Sequence, residues 1–174
     1  MIRSFDGVEP DVHETAYVDP AATVIGDVTV GPEASVWPNV TLRGDDGRIV
    51  LERGANVQDN AVCHEATVIR EEATIGHSAI VHAAEVEPRA MVGMNAVVLD
   101  DAVVGEESLV GAGSVVTEGT TVPDSTLVAG APAEVVKEVE DSVWTAAGRR
   151  YVELSREHAA TDEIVAEGHI PDLE

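Results

Sequence analysis

The stretch Val86–Val116 reads VEPRAMVGMNAVVLDDAVVGEESLVGAGSVV, and every sixth residue in it is valine. Four residues after each valine from Val86 to Val110 stands a small one: Ala90, Ala96, Ala102, Ser108 and Ser114. A helix wants apolar residues every 3.6 positions and a simple hairpin sheet wants them every second position. A period of six, with one large and one small inward side chain, fits short strands joined by tight corners. Three such hexapeptides close a triangular coil, and coils stack at about the 4.8 Å strand spacing.

The same count runs outward in both directions. Towards the C-terminus it continues through Val122 to Val128. Towards the N-terminus it steps back one residue, then passes Val81, Ile75, Ile69, Cys63, Val57 and Leu51. It slips by three at GDDGRIV and resumes from Leu42 down to Val12. Repeats of this kind define a solenoid whose neighbouring coils supply each other's core. The expected fold is an all-β solenoid, a left-handed parallel β-helix of hexapeptide repeats spanning residues 1–133 in between six and seven coils. Beyond it Val136, Val139, Val143, Ala147, Tyr151 and Leu154 recur at helical spacing. This predicts a C-terminal amphipathic α-helix over 134–159, lying on the solenoid with Trp144 and Tyr151 as anchors. Residues 160–174 read as an acidic tail.

The 174 residues carry a net charge of -23, and Lys137 is the only lysine. Such a surface repels nucleic acid and anionic membranes. It also suits a halophilic setting, where salt screens the self-repulsion. The single cysteine, Cys63, excludes an internal disulfide and falls at an inward position. No apolar run reaches the length of a membrane span and the first residues lack a secretory signal, so a cytoplasmic protein is expected.

The coil assigns each polar residue a wall and a height. His64 and His82 each follow an inward residue by one and lie one coil apart, so their imidazoles stack on one wall and can share a metal. His77 stands at the corner of the preceding wall, so a neighbouring subunit of a homotrimer would have to bring it to that metal. The three-residue slip places Arg43 one coil below His64, with Asp59 below His77 and Gln58 beside it. Arg43 would pair across the interface with Asp59, helped by Asp45. A structural ion pair without chemistry is an equally open reading of Arg43 and Asp59.

LRGDDG, NVQDNAVCHE, GHSAIVH and LVGAGSVV together resemble the gamma-class carbonic anhydrases and their relatives, from about residue 8 to about residue 155. The resemblance implies a left-handed β-helix trimer with zinc, or iron or cobalt, held between subunits by His64, His82 and the neighbour's His77. It implies catalytic roles for Gln58 beside a metal-bound water, for Arg43 and for Asn56, with Arg43, Asp45 and Asp59 forming interface ion pairs. The expected activity is reversible hydration of carbon dioxide to bicarbonate by a metal-bound hydroxide. Only 12 residues separate His64 from His77. The family's acidic proton-shuttle loop is therefore missing, and slow turnover is expected. The short loop and the C-terminal segment are closer to the branch associated with carnitine and phenylacetate metabolism. Three rivals stand beside this reading: a metal-dependent coenzyme A thioesterase, a hexapeptide acyltransferase using a histidine base, and a non-catalytic trimeric assembly subunit.

Overall fold

A computed structural model describes residues 1–139 and 142–163. The chain winds into a left-handed parallel β-solenoid of about seven coils with one helix at its C-terminal end. Each coil contributes one short strand to each of three walls. The first wall stacks Thr41–Gly44, Val62–His64, Ile80–His82, Val97–Val98 and Val115–Val116. The second carries Ile49–Leu51, Thr67–Ile69, Glu85–Val86, Val103–Val104 and Thr121–Val122. The third runs Tyr17–Val18, Ser35–Val36, Asn56–Val57, Thr74–Ile75, Met91–Val92 and Leu109–Val110, and ends at Thr126–Gly130.

The hexapeptide pattern explains the core. Large inward residues such as Val57, Ile75 and Val92, and the small ones two before them, Ala55, Ala73 and Ala90, are at most 1% exposed. Because the prism is narrow, a large side chain from one wall must meet small ones from the others. The corners need left-handed backbone, and Asn39, Asn60 and Asn95 supply it with φ between 57° and 62°.

The two frame slips are absorbed at corners of the first wall. The strand Thr41–Leu51 turns its corner without a break, and pairing shifts between Gly26 and Val28, so that Gly26 faces Gly44 while Val28 faces Ile49. The extra residues Asp45 to Gly47 bulge outward there. Any Cβ on Gly26 would lie 2.4 Å from the Gly44 carbonyl oxygen, so the close approach of these two strands requires glycine. The shorter slip leaves Ala83 in a left-handed corner at φ 46°, and Ala84 takes the inward place in which strict counting sets Glu85.

At the end of the solenoid the expected boundaries shift. Residues Ala133–Glu138 form an antiparallel strand on Thr126–Gly130, and the helix begins later. A 3₁₀ turn, Val143–Ala146, leads into helix α1, Ala147–Thr161. The spacing of Val136, Val139 and Val143 suits a helix, but the backbone of 133–138 finds ladder partners on a free sheet edge, and pairing outweighs local periodicity. Helix α1 lies against the third wall. Trp37 gathers Tyr17, Tyr151 and His158 with ring centroids 5.0–5.4 Å away. The Trp144 indole N–H donates to the Glu107 carbonyl at 3.2 Å. Arg149 pairs with Glu72 at 3.1 Å and Arg156 with Glu33. Of the acidic tail expected over 160–174, residues 164–174 lie outside the described residues.

Candidate functional site at the histidine corner

Arg43, His64 and His82 occupy three successive rungs of the first wall, in the register Arg43↔His64 and His64↔His82. Parallel pairing stacks their side chains on one outward column. The His64 and His82 rings meet edge to face with centroids 5.0 Å apart, and His64 Nδ1 lies 3.1 Å from His82 Nε2. The outer nitrogens both meet carboxylates: His64 Nε2 is 3.2 Å from Asp45 Oδ1, and His82 Nδ1 is 2.7 Å from Asp100 Oδ1. Arg43 reaches Asp45 at 2.8 Å and His64 Nδ1 at 3.3 Å. Burial alone would raise the Asp45 carboxyl, but the hydrogen bond and charge of Arg43, with His64 adding to them, hold it below its ordinary value. Glu65 Oε1 stands 3.6 Å from His82 Nε2. The donor atoms of His64, Glu65 and His82 lie within 4.8 Å of one another.

His77 belongs to a separate pair. It follows the third-wall strand Thr74–Ile75, where its Nδ1 lies 3.0 Å from Asp59 Oδ2. Its side chain is 40% exposed against 15% for His64, and its Nε2 has no partner among the described residues. Within one chain the three histidines therefore form a facing pair and a single imidazole, not one cluster. Arg43 finds Asp45 in its own chain, and Asp59 finds His77.

Asn56 and Gln58 are 0% and 3% exposed. Gln58 donates to Asn56 Oδ1 at 3.2 Å, and Asn56 donates to Thr74 Oγ1 at 2.9 Å. Asn56 thereby bridges two rungs of the third wall, and Gln58 is bonded to it within the same coil. Cys63 is fully buried, and burial pushes its thiol up to about 12. Asp100 is the site residue that counting misses. The coil above His82 follows the one-residue slip, so Val81 pairs with Val98 and the slipped register, one short of 18, sets Leu99 and not Asp100 over His82. The usable signal is the adjacent pair Asp100–Asp101 at the same corner.

Comparison with known proteins fixes the class. Residues 83–118 match the bacterial transferase hexapeptide family (six repeats). A hexapeptide transferase family protein from Anaplasma phagocytophilum has 39% identity and a TM-score of 0.88, covering 90% of this chain and 97% of its own. A candidate acetyltransferase from Bacillus cereus, the product of the BC4754 gene, has 30% identity and a TM-score of 0.88 over 91% of this chain and 96% of its own. At 22% identity and a TM-score of 0.59, a hexapeptide-repeat acetyltransferase from Vibrio cholerae, solved with acetyl coenzyme A, shares the fold over 64% of this chain and 71% of its own. The chain belongs to the hexapeptide-repeat transferase family.

Among curated relatives, the carnitine operon protein CaiE of Proteus sp. (strain LE138) is 46% identical over 86 residues. That alignment takes in 47% of this chain and 44% of the relative, so it spans under half the relative's length.

These relatives correct the functional expectation. They point to acyl transfer, and the assignment as a carbonic anhydrase, a zinc lyase hydrating carbon dioxide, is withdrawn. Within one chain Gln58 and Asn56 bond to each other and to Thr74. His77 stands beside Asp59 on the third wall, away from His64 and His82, where the coil count sets it. The hexapeptide frame on which the resemblance rests is also that of the matched transferase family. Among the described residues no helix is long and apolar enough to cross a membrane.

Proposed function

We propose that this protein is an acyltransferase that moves an acyl group from a coenzyme A thioester to a hydroxyl or amine. In this reading it is a cytoplasmic homotrimer with its clefts between subunits. One observation carries the reading: the part-exposed His77–Asp59 pair, with Nδ1 3.0 Å from Oδ2 and Nε2 without a partner among the described residues. In this reading the Asp59 carboxylate favours the tautomer protonated on Nδ1, which leaves the lone pair on Nε2. That nitrogen takes the acceptor's proton as its oxygen or nitrogen attacks the thioester carbonyl. The new C–O or C–N bond forms, the C–S bond breaks, and the coenzyme A thiolate leaves with the proton returned by the imidazolium. A base of this kind is worth about 10²–10⁴-fold in rate. The histidine corner of a neighbouring subunit would face His77 across the cleft.

The test is thiol release from acetyl coenzyme A against a panel of amine and hydroxyl acceptors, with His77→Asn and Asp59→Asn beside the parent. Cys63 is fully buried and will not consume the thiol reagent. The expected result is loss of about 100-fold or more in kcat for His77→Asn with donor affinity retained. Undiminished transfer by His77→Asn, or a protein that binds no acyl coenzyme A, would overturn the reading.

A second reading rests on the facing imidazoles. The inner nitrogens, His64 Nδ1 and His82 Nε2, stand 3.1 Å apart, with the Arg43 guanidinium 3.3 Å from His64 Nδ1, and in this reading tautomers that donate to Asp45 and Asp100 leave the inner lone pairs for a cation. His64, His82 and Glu65 make a donor set that fits a divalent cation, and Asp45 and Asp100 orient the imidazoles as outer partners do in metal sites. Bound there, the cation would supply positive charge beside the cleft. Metal analysis of the purified protein, with His82→Ala as control, decides it. A stoichiometric metal lost in the variant supports the site, and a metal-free parent after reconstitution rules it out.

A further inference from the structure

Away from the histidine corner, the C-terminal end of helix α1 and the lowest rungs of the third wall border an open cavity of about 500 Å³. Tyr17 and Val18 form one side, and His158 and Asp162 form the other. It lies three rungs below the strand that precedes His77. Two features of its lining stand out. The first is aromatic: Tyr17 and His158 present rings with centroids 6.1 Å apart, backed by Trp37 at 5.3 Å and 5.0 Å. The second is electrostatic: Asp19, Asp162 and Glu163 supply three carboxylates, and no lysine or arginine is among the described lining residues.

Asp19 and Asp162 are held in place. Asp19 accepts from the Tyr17 hydroxyl at 3.2 Å and from the Ala21 N–H at 2.7 Å. Asp162 lies 2.8 Å from His158 Nδ1. Burial and the neighbouring Asp19 and Asp162 push the Tyr17 hydroxyl up to about 12, so the ring stays neutral at any physiological pH. Acidic side chains cover this whole chain, so carboxylates alone distinguish nothing. Rings bordering a concave, mostly apolar floor, with Asp19 and Asp162 anchored beside them, are a different arrangement. Ring faces attract weakly hydrated cations, the apolar floor favours alkyl substituents, and the carboxylates reject anions.

We propose that this cavity is a binding site for a small alkylammonium cation, separate from the transferase site. A substituted ammonium suits the rings, the apolar floor and the carboxylates at once. Inorganic potassium or sodium, strongly hydrated, does not use the rings. A neutral molecule of the same shape uses the floor but not the charge.

The test uses the full chain at constant ionic strength, with choline as the probe and 3,3-dimethyl-1-butanol as its uncharged isostere, both followed by ligand-observed NMR. The expected result is saturable choline binding at least about tenfold tighter than the isostere, in line with a cation–ring and charge contribution of that size. Asp19→Asn should weaken choline several-fold. Tyr17→Leu, which keeps apolar volume and removes the ring, should weaken it by about tenfold. Because Tyr17 also touches Trp37, the isosteric Asp19→Asn guards against a merely misfolded variant. His77→Asn should leave choline binding intact, which separates this site from the acyl transfer reading. Equal binding of choline and its isostere, no binding of either, or unchanged affinity in both cavity variants would overturn the proposal.

Discussion

At the scale of single residues, the tightest constraint outside the core is Gly148, at the start of α1. Any Cβ there would stand 2.2 Å from the Glu72 carbonyl oxygen and 2.8 Å from the Glu72 carbonyl carbon and Cα. Gly148→Ala should therefore cost about 1–3 kcal/mol in denaturant unfolding, as overpacking does. Titration gives a second expectation. Tyr17 and Cys63 keep their protons in the folded chain up to about 12, whereas unfolded chains lose them near the ordinary values of 10.0 and 9.0. Below those lower values both contributions to stability are fully present. Between them and about pH 12 the unfolded state binds fewer protons, so stability must fall as pH rises. Urea midpoints measured from pH 8 to pH 12 should drop over that window, and the drop should shrink in Cys63→Ala. The sequence made Arg43, His64 and His82 legible as a column because rung arithmetic needs no side-chain detail. It could not show that Asn56 and Gln58 bond to each other, because rotamers and the covering helix decide that.

At the scale of elements, each wall position is set by how many residues precede it. Excising Gly105–Val122, 18 residues, removes one complete coil and leaves every later rung on its own wall. Excising Gly105–Val116, 12 residues, preserves the inward pattern but moves the final strands and α1 to another wall. Both lose the Glu107 carbonyl that receives Trp144. The first variant should keep the near-ultraviolet circular dichroism of the Trp37 cluster. The second should lose it while its strand signal persists, and equal aromatic signals in the two would contradict the account. The helix itself was legible in the spacing of Ala147, Tyr151 and Leu154. Its start was not, because the strand at 133–138 depends on a sheet edge that local periodicity cannot see.

At the scale of the whole molecule, charge dominates. With -23 net charges on a prism this narrow, like charges on neighbouring coils face each other across short distances. Arginines interrupt the repulsion locally: Arg70 bridges Glu52 and Glu85, and Arg89 bridges Glu106 and Glu107. Exposed pairs of this kind add little individually. Raising salt from 0.1 M to 1 M shortens the screening length from about 10 Å to about 3 Å. The melting temperature should rise across that range, and a flat or falling curve would remove the case for a chain adapted to salt. Composition made this property legible from the start, because net charge needs no fold to be counted.

The parallel ladder also has a mechanical side. Its inter-strand hydrogen bonds run roughly along the prism axis, so a force applied between the two ends of the solenoid loads one rung at a time. The chain should peel like a coiled ribbon, each complete coil of 18 residues releasing roughly 60 Å of contour length at about 3.3 Å per residue. A force–extension trace would then show evenly spaced low-force steps, interrupted where the unbroken strand Thr41–Leu51 ties two walls together. The corner that gathers the histidines would be the knot in that ribbon.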